Sequence, residues 1–406
     1  MKVVQINATC GLGSTGKICL DLSMFLTEKG VENYVLYSEG ESSFKHAIKY
    51  NNNFIRRCAG LFSKIFGLYG FTNSLGTKKL LTILDKIKPD IIHLRNIHNH
   101  AFNIEKVFRY IKRNNIKLLW SFDDCWPITA MCTHFDFANC LKWKTQCSNC
   151  PLYKEYLYFR DNSKALFLRK KQILCDTNFS IIVPSTWMES IVKKSYLQNK
   201  TIYKLNYGLD LTVFRPLPHI NREAFHLDDN KLVLLFSAYN FTEKKGIDDL
   251  IKIADLSCHD KDVSIIVVGN IDKKYILPKN VVKIPNTSNR ETLCELYNLA
   301  DVFVNTTKEE TFGMTNLEAL ACGTPVVTYN SGGSAEILEK SFVGVSVEKG
   351  NYEKLYYEAK KMALIKRKIK IDCVNVAKKF SNKDSYQKYY NLYEEIYNAG
   401  RKGNEV

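Results

Sequence analysis

Short apolar runs rich in valine and isoleucine recur along the chain at 2–7, 91–94, 117–121 and 179–183. They recur again at 232–237, 263–269, 281–284, 302–305 and 325–328. Runs this short, apolar on consecutive positions, predict strands buried on both faces of a parallel sheet. Between them lie segments whose apolar positions return every three or four residues, as at 15–29 and 104–114, and these predict helices. A further helix is expected after the Ser185 cap. Strand and helix in alternation give βαβ units, hence an α/β protein. A chain of 406 residues exceeds one ordinary core, so two domains of about 200 residues each are expected.

The stretch 309–327, EETFGMTNLEALACGTPVV, reads as a loop, a helix start and a buried strand. Glu310 stands on the loop, Phe312, Gly313, Met314 and Thr315 lead the backbone into the helix, and Glu318 lies one turn inside it. A helix start presents N–H groups and a partial positive charge, which suit a diphosphate. A carboxylate one turn in can accept two hydrogen bonds from a ribose diol, and one on the loop can reach a hydroxylated ring beyond the phosphates. The plainer alternative is an amphipathic helix with an acidic start, stopped by Ala-Cys-Gly.

The two glutamates at this separation, with Phe312-Gly313 between them and Cys-Gly-Thr-Pro-Val-Val after, resemble the nucleotide-sugar motif of family 4 retaining glycosyltransferases. The resemblance implies the GT-B architecture, two Rossmann-like doubly wound domains facing across a cleft. Residues 1–205 would bind the acceptor and 206–382 the nucleotide-sugar, with 383–406 a tyrosine-rich helix and tail crossing back. It further implies that Lys245 neutralises the leaving diphosphate, assisted by Lys244, that Glu318 holds ribose, and that Glu310 orients the donor sugar. Two positions depart from the family pattern. Asp123 falls where a histidine is common, and Asn240 stands where an arginine usually precedes the lysine.

The N-terminal half carries its own candidates. The turn Gly11-Leu12-Gly13-Ser14-Thr15-Gly16-Lys17 matches a dinucleotide fingerprint and nearly a P-loop, which fails because Ile18 stands where a magnesium-binding hydroxyl is needed. In the resembled family such a turn lies against donor or acceptor, so Gly13 is a candidate donor contact, with a bare strand-to-helix turn the alternative. Polar clusters end two strands, 95–100 with His98, and Asp123-Asp124. Ligands bind at this edge of a parallel sheet. Asp123 is the candidate catalytic acid or base there, His98 and Asp124 are acceptor-side candidates, and capping of the next turn is the alternative for the aspartates.

Five cysteines crowd into 125–150. The Cys147-Ser-Asn-Cys150 knuckle with Cys132 and Cys140 could hold a structural zinc, although the spacing fits no standard module and plain thiols are the alternative. No aspartate-x-aspartate metal pair stands in the donor domain, so no cofactor is expected for catalysis.

Charge adds a location. The chain's net charge is +16, of which 1–205, with 30 basic and 15 acidic residues, carries +15. No nucleic-acid motif accompanies it, which leaves an anionic membrane surface or a phosphorylated acceptor. The segment 53–71, aromatic and apolar with Arg56, Arg57 and Lys64 interspersed, suits a helix lying in a membrane interface, with burial in the core the alternative. Thirteen cysteines without an export signal or an apolar span point to the reducing cytoplasm.

The expected function is retaining transfer of a sugar from a UDP- or GDP-sugar to a lipid-linked or growing surface polysaccharide, by a protein peripheral on the inner face of the cytoplasmic membrane. A nucleotide-sugar epimerase and a non-catalytic nucleotide-sugar-binding scaffold are the rival readings.

Overall fold

The computed structural model describes residues 1–402 apart from 99, 219, 221, 226, 229, 288 and 339–341. The chain divides into two compact units, Tyr207–Asp384 forming the second and everything before it, with the return from Ser385, forming the first.

In the first unit the elements run β1 (Lys2–Thr9), α1 (Gly13–Glu28), β2 (Glu32–Glu39), β3 (Ala47–Lys49), α2 (Asn53–Phe66), α3 (Ser74–Ile87), β4 (Ile91–Leu94) and α4 (Ile104–Arg113). They continue with β5 (Lys117–Ser121), α5 (Tyr153–Tyr156), α6 (Ser163–Cys175), β6 (Ser180–Val183), α7 (Thr186–Lys193) and β7 (Ile202–Lys204). The strands form one parallel sheet in the order β3-β2-β1-β4-β5-β6-β7. Successive side chains of a strand point to opposite faces. Val3, Ile91, Leu119 and Ile182 therefore pack on α1 through Leu22 and Leu26, while Val4, Ile92, Trp120 and Ile181 join Leu80, Val107 and Phe108 on the other side.

The face against α1 is completed by the end of the chain. In the last helix, Asn382–Lys402, Tyr386, Tyr389, Leu392 and Tyr393 are buried against Val3, Ile91 and Leu119. A buried histidine fastens it: one ring nitrogen of His93, Nδ1, bonds the Tyr393 hydroxyl at 2.6 Å and the other, Nε2, bonds Ser121 Oγ at 2.8 Å. Burial, reinforced by the Arg95 charge, holds His93 well below the usual imidazole range.

Helix α2 is turned inside out. Asn52 caps it, accepting from the Phe54 and Ile55 N–H groups, and Gly67, at φ 69°, ends it. Its buried positions are Arg56, Gly60 and Ser63, and its phenylalanines are exposed. Gly60 is required because a Cβ there would lie 2.9 Å from the His100 ring. Arg56 pairs with Glu39 at 3.0 Å.

The second unit runs β8 (Leu232–Phe241), α8 (Ile247–Ser257), β9 (Val263–Ile271), β10 (Val281–Ile284), α9 (Arg290–Leu299), β11 (Val302–Asn305), α10 (Met314–Ala321), β12 (Val326–Tyr329), β13 (Gly344–Val347) and α11 (Tyr352–Lys378). The last helix above is α12. The strands form a second parallel sheet, β10-β9-β8-β11-β12-β13. Its strands are buried, as in Leu234, Phe236, Ile266, Phe303 and Val327, and α11 lies along β8, β11 and β12. Both sheets are thus the doubly wound parallel kind that the apolar runs predict.

Two buried imidazoles set a pH limit on the first unit. His100 is lowered to about 4, by burial first and then by Lys64, Arg56 and His98. The unfolded chain takes up protons at both histidines near pH 6.5 while the folded chain does not, so stability is full above about 6.5 and falls as pH drops toward 4. The expected slope is about 1.4 kcal/mol per pH unit for each imidazole. Urea unfolding between pH 7.5 and 5 checks it, read by tryptophan fluorescence because Trp120, Trp126, Trp143 and Trp187 all belong to the first unit. His100→Asn, which tolerates the left-handed backbone at φ 60°, should remove about half the slope; an unchanged slope would exclude His100 as a source.

Candidate active site

Strand β11 ends at Asn305, and the loop that follows must turn sharply into α10. Gly313, at φ 95°, makes the turn and begins the helix. Asn316, buried in the first turn, holds three elements: its Oδ1 accepts from Asn305 Nδ2 at 2.8 Å, and its Nδ2 donates to the Ser334 carbonyl at 2.9 Å and Oγ at 3.1 Å. The loops after β11 and β12 are therefore clamped to the helix start. Phe312 is buried between the rings of Tyr207 and Phe380, 5.4 Å and 5.9 Å away. It offers a ligand its backbone and anchors the loop by its side chain. Met314 and Thr315 are half-buried on the opening turn.

The two glutamates are held differently. Glu310 Oε1 accepts the Thr311 N–H at 3.1 Å, and Oε2 meets Lys245 Nζ at 3.2 Å. This ion pair is partly exposed, 38% on the lysine and 22% on the glutamate. Such pairs are worth about 0–1 kcal/mol, so exchanging the lysine's partner for a diphosphate costs little. Glu318 Oε2 accepts from the buried Tyr297 hydroxyl at 2.9 Å, which fixes its rotamer. Burial first, and then the Glu318 charge, push the Tyr297 hydroxyl well above its usual range, so it stays a donor.

Lys245 is placed by a glycine. Gly246 has φ 72°, and a Cβ there would come within 2.1 Å of the Thr306 carbonyl oxygen. Thr306 Oγ1 in turn donates to the Lys245 carbonyl at 3.0 Å, and the Lys308 N–H donates to the Lys244 carbonyl at 2.9 Å. The lysine turn after β8 and the loop after β11 are thereby one assembly, which brings Lys244, Lys245, Glu310 and the α10 start together. Asn240 sits at the bulged end of β8, accepting from Asn270 Nδ2 at 2.9 Å.

In the first unit the sheet edge carries a small recess lined by residues 95–98, Trp120, Ser121, Asp123, Asp124, Trp126 and Pro127. Asp123 lies in it with its side chain 2% exposed and paired with the equally buried Arg95 at 3.5 Å. Asp124 Oδ1 accepts the Trp126 N–H at 2.8 Å, and Oδ2 meets His98 Nε2 at 3.0 Å. Burial works to raise the Asp124 carboxyl, but His98 and the Trp126 N–H outweigh it and hold it below its usual range. The capping reading of Asp124 thus describes a contact it makes, while its other oxygen is taken by His98. Asn99 lies outside the described residues. Gly13, at φ 66°, opens α1, and nothing lies within 4 Å of where its Cβ would stand.

The zinc expectation finds no support among the described residues. Among the described residues no three His, Cys, Asp or Glu side chains gather in a way that could hold a metal ion, and Cys132, Cys140, Cys147 and Cys150 are free thiols. Burial pushes Cys132 up to about 12 and Cys147 up to about 11, so both stay protonated. A lysine does the stapling instead. Lys170, fully buried on α6, donates from Nζ to the carbonyls of Trp126, Thr129 and Ala130 at 2.8, 3.0 and 3.2 Å, with the ammonium 3.8 Å from the Trp126 ring centroid. One ammonium thereby satisfies three carbonyls of the insert's first turns.

Tyr297, Asn316 and Lys170 support the candidate site residues or their loops, and the sequence alone assigns them no role. Tyr297 lies 21 residues from Glu318 and Lys170 44 from Trp126. Only the fold joins them.

Residues 219–378 match the family model for glycosyl transferases group 1. WcaC of Escherichia coli, a glycosyl transferase assigned to colanic acid biosynthesis, is 21% identical over 84% of this chain and 86% of its own length. The capsular polysaccharide biosynthesis glycosyltransferase CapM of Staphylococcus aureus is 26% identical over 62% of this chain and 68% of its own. Among solved structures, Alr3699/HepE of Anabaena in complex with UDP superimposes with a TM-score of 0.69 at 15% identity, covering 97% of this chain and 100% of the other. WaaG, a glycosyltransferase involved in lipopolysaccharide biosynthesis, gives 0.68 at 14% identity over 96% and 99%. Residues 219–378 thus form a glycosyl transferases group 1 region, and the two parallel α/β sheets have the GT-B fold of these structural neighbours.

Proposed function

We propose that this enzyme transfers a sugar, with retention of configuration, from a UDP- or GDP-sugar to a lipid-linked or growing oligosaccharide in surface polysaccharide synthesis at the inner face of the cytoplasmic membrane. The observation that carries it is the assembly of Lys245, Glu310 and Glu318 about the start of α10. The relatives concerned with colanic acid and capsule, and the UDP complex of the structural neighbour, support the donor and product classes.

In this reading the diphosphate meets the first-turn N–H groups of α10 and takes Lys245, with Lys244 beside it, as its counter-charge. Glu318, steadied by Tyr297, accepts from the ribose diol. Glu310, released from Lys245 as the phosphates arrive, accepts from the donor sugar and orients it. No step requires a metal ion. The glycine-rich turn at Gly13 gives the backbone room for a ligand at the end of β1.

The acceptor belongs to the recess of the first unit. The acceptor hydroxyl must lose a proton as it attacks, and a histidine oriented by a carboxylate is the usual recipient. His98 with Asp124 is that pair, so in this reading the dyad takes the proton. Asp123, buried on Arg95, keeps the recess in shape behind the dyad. The chain has no described helix long and apolar enough to cross a membrane, so contact with a lipid-linked acceptor would be peripheral.

A thermal-shift screen against UDP, GDP and ADP with their sugar conjugates should give a selective rise that Glu318→Ala abolishes; no rise with any nucleotide would favour the scaffold. Glu310→Gln keeps its shape but loses charge, so kcat should fall by about 10²–10³ with donor binding nearly retained. Unchanged turnover would remove Glu310 from the chemistry, and release of an epimerised nucleotide-sugar without transfer would favour the epimerase. Tyr297→Phe removes one hydrogen bond to Glu318 and should weaken nucleotide binding by about three- to tenfold while leaving kcat near wild type. A kcat effect in place of a binding effect would overturn the ribose role of Glu318.

A further inference from the structure

The face of α2 that meets solvent is the wrong one for a helix that serves only its own domain. Surface helices turn large apolar residues inward, yet here Arg56, Gly60 and Ser63 face in while Phe54, Leu61, Phe62, Ile65 and Phe66 face out. Phe54 is 75% exposed, and the Phe62 and Phe66 rings pack on each other at 4.3 Å in the open.

The strip does not stop at the helix. The Tyr158 N–H donates to the Lys64 carbonyl at 3.0 Å, Lys64 Nζ lies 5.5 Å from the Tyr158 ring centroid, and Asn162 Nδ2 donates to the Gly67 carbonyl at 2.7 Å. These bonds hold Tyr158 and Phe159, the latter 74% exposed, beside the end of α2. The outcome is one apolar, largely aromatic surface, with Arg57, Lys64 and Arg160 set among the rings. Residues 1–205 carry a net +15 around it.

We infer that the outer face of α2, with Tyr158 and Phe159, is a docking surface that inserts its rings into the interfacial layer of an anionic lipid bilayer while its cations meet the headgroups. Charge decides between a bilayer and a protein partner: aromatic rings interleaved with cations, in a domain with this excess, match an anionic lipid surface. The inference rests on the reading that the acceptor is membrane-borne. It also orients that reading, because the inner face of the helix abuts His100 through Gly60, two residues along the chain from His98. A protein seated on this face has the backing of its acceptor recess against the lipid.

The test is co-sedimentation of the full chain with phosphatidylcholine vesicles, with and without about a third phosphatidylglycerol, at low and high salt. Binding should be at least about tenfold stronger to the anionic vesicles and should weaken with salt. The Phe62→Ser/Phe66→Ser/Phe159→Ser variant should lose at least about tenfold in vesicle affinity. Arg57→Gln/Lys64→Gln should lose the preference for anionic lipid. These side chains are exposed, or half-buried in the case of Lys64, and belong to the first unit whereas α10 belongs to the second, so the variants should keep the wild-type nucleotide-induced thermal shift, which separates failure of docking from failure of the donor site. Vesicle binding unaltered by the serine substitutions would overturn the inference. So would an absence of vesicle binding together with a concentration-dependent dimer that those substitutions abolish, which would make the face a contact between copies of the chain.

Discussion

The Glu310 carbonyl accepts the Gly333 N–H at 3.0 Å, and a Cβ on Gly332 would lie 1.7 Å from that same oxygen. The loops after β11 and β12 can lie against each other only because position 332 has no side chain. Once they do, Ser334 reaches Asn316, Asn316 reaches Asn305, and α10 must start where it does. Gly246 repeats the device on the other side, letting the lysine turn close on Thr306. Backbone contact without side chains is stiff. The two candidate side chains that project from it, Lys245 and Glu310, meet each other in a partly exposed ion pair.

The central strands of both sheets were legible in the sequence because they are buried on both faces and read as largely apolar runs, whereas the edge strands β3, β7 and β13, only partly buried, gave no such run. The candidate site of the second unit was legible because Glu310, the Gly313 turn and Glu318 are close in sequence, so local geometry already brings them together. The partners that tune the site were not. Tyr297 on α9 and Asn305 on β11 meet α10 only through the sheet, and a tyrosine inside an amphipathic pattern looks like any core residue. The insert shows the opposite error. Its cysteines drew attention through their number, while Lys170, the residue that satisfies the insert's carbonyls, is an ordinary lysine on an ordinary helix until the fold buries it. For α2, apolar content was visible but polarity was not, because which side of a helix faces inward depends on what lies beneath it, here the His100 ring.

The two units divide the electrostatic work. The second lies within 206–406, a stretch nearly neutral at +1 by difference from the whole, and sets Lys245 and Glu310 beside one helix start. The first carries the excess and distributes it over its surface, while inside it Arg95 is paired with Asp123 and Lys170, its pKa lowered to about 7 by burial, lies among carbonyls. A focused charge suits one small anion, and a diffuse one suits an extended surface.

The Tyr393 contact with His93 has a meaning for how the molecule is made. The sheet of the first unit is laid down early, but its α1-side face lacks Tyr386, Tyr389 and Tyr393 until the last helix has left the ribosome. The second unit, contiguous in the chain, can finish before the first is sealed. Synthesis therefore proceeds from an open first half, through a complete second half, to a final helix that acts as the closing stave. A chain stopped just short of that helix would hold a finished second unit and a half-covered first sheet, the kind of exposed apolar face that chaperones and proteases recognise.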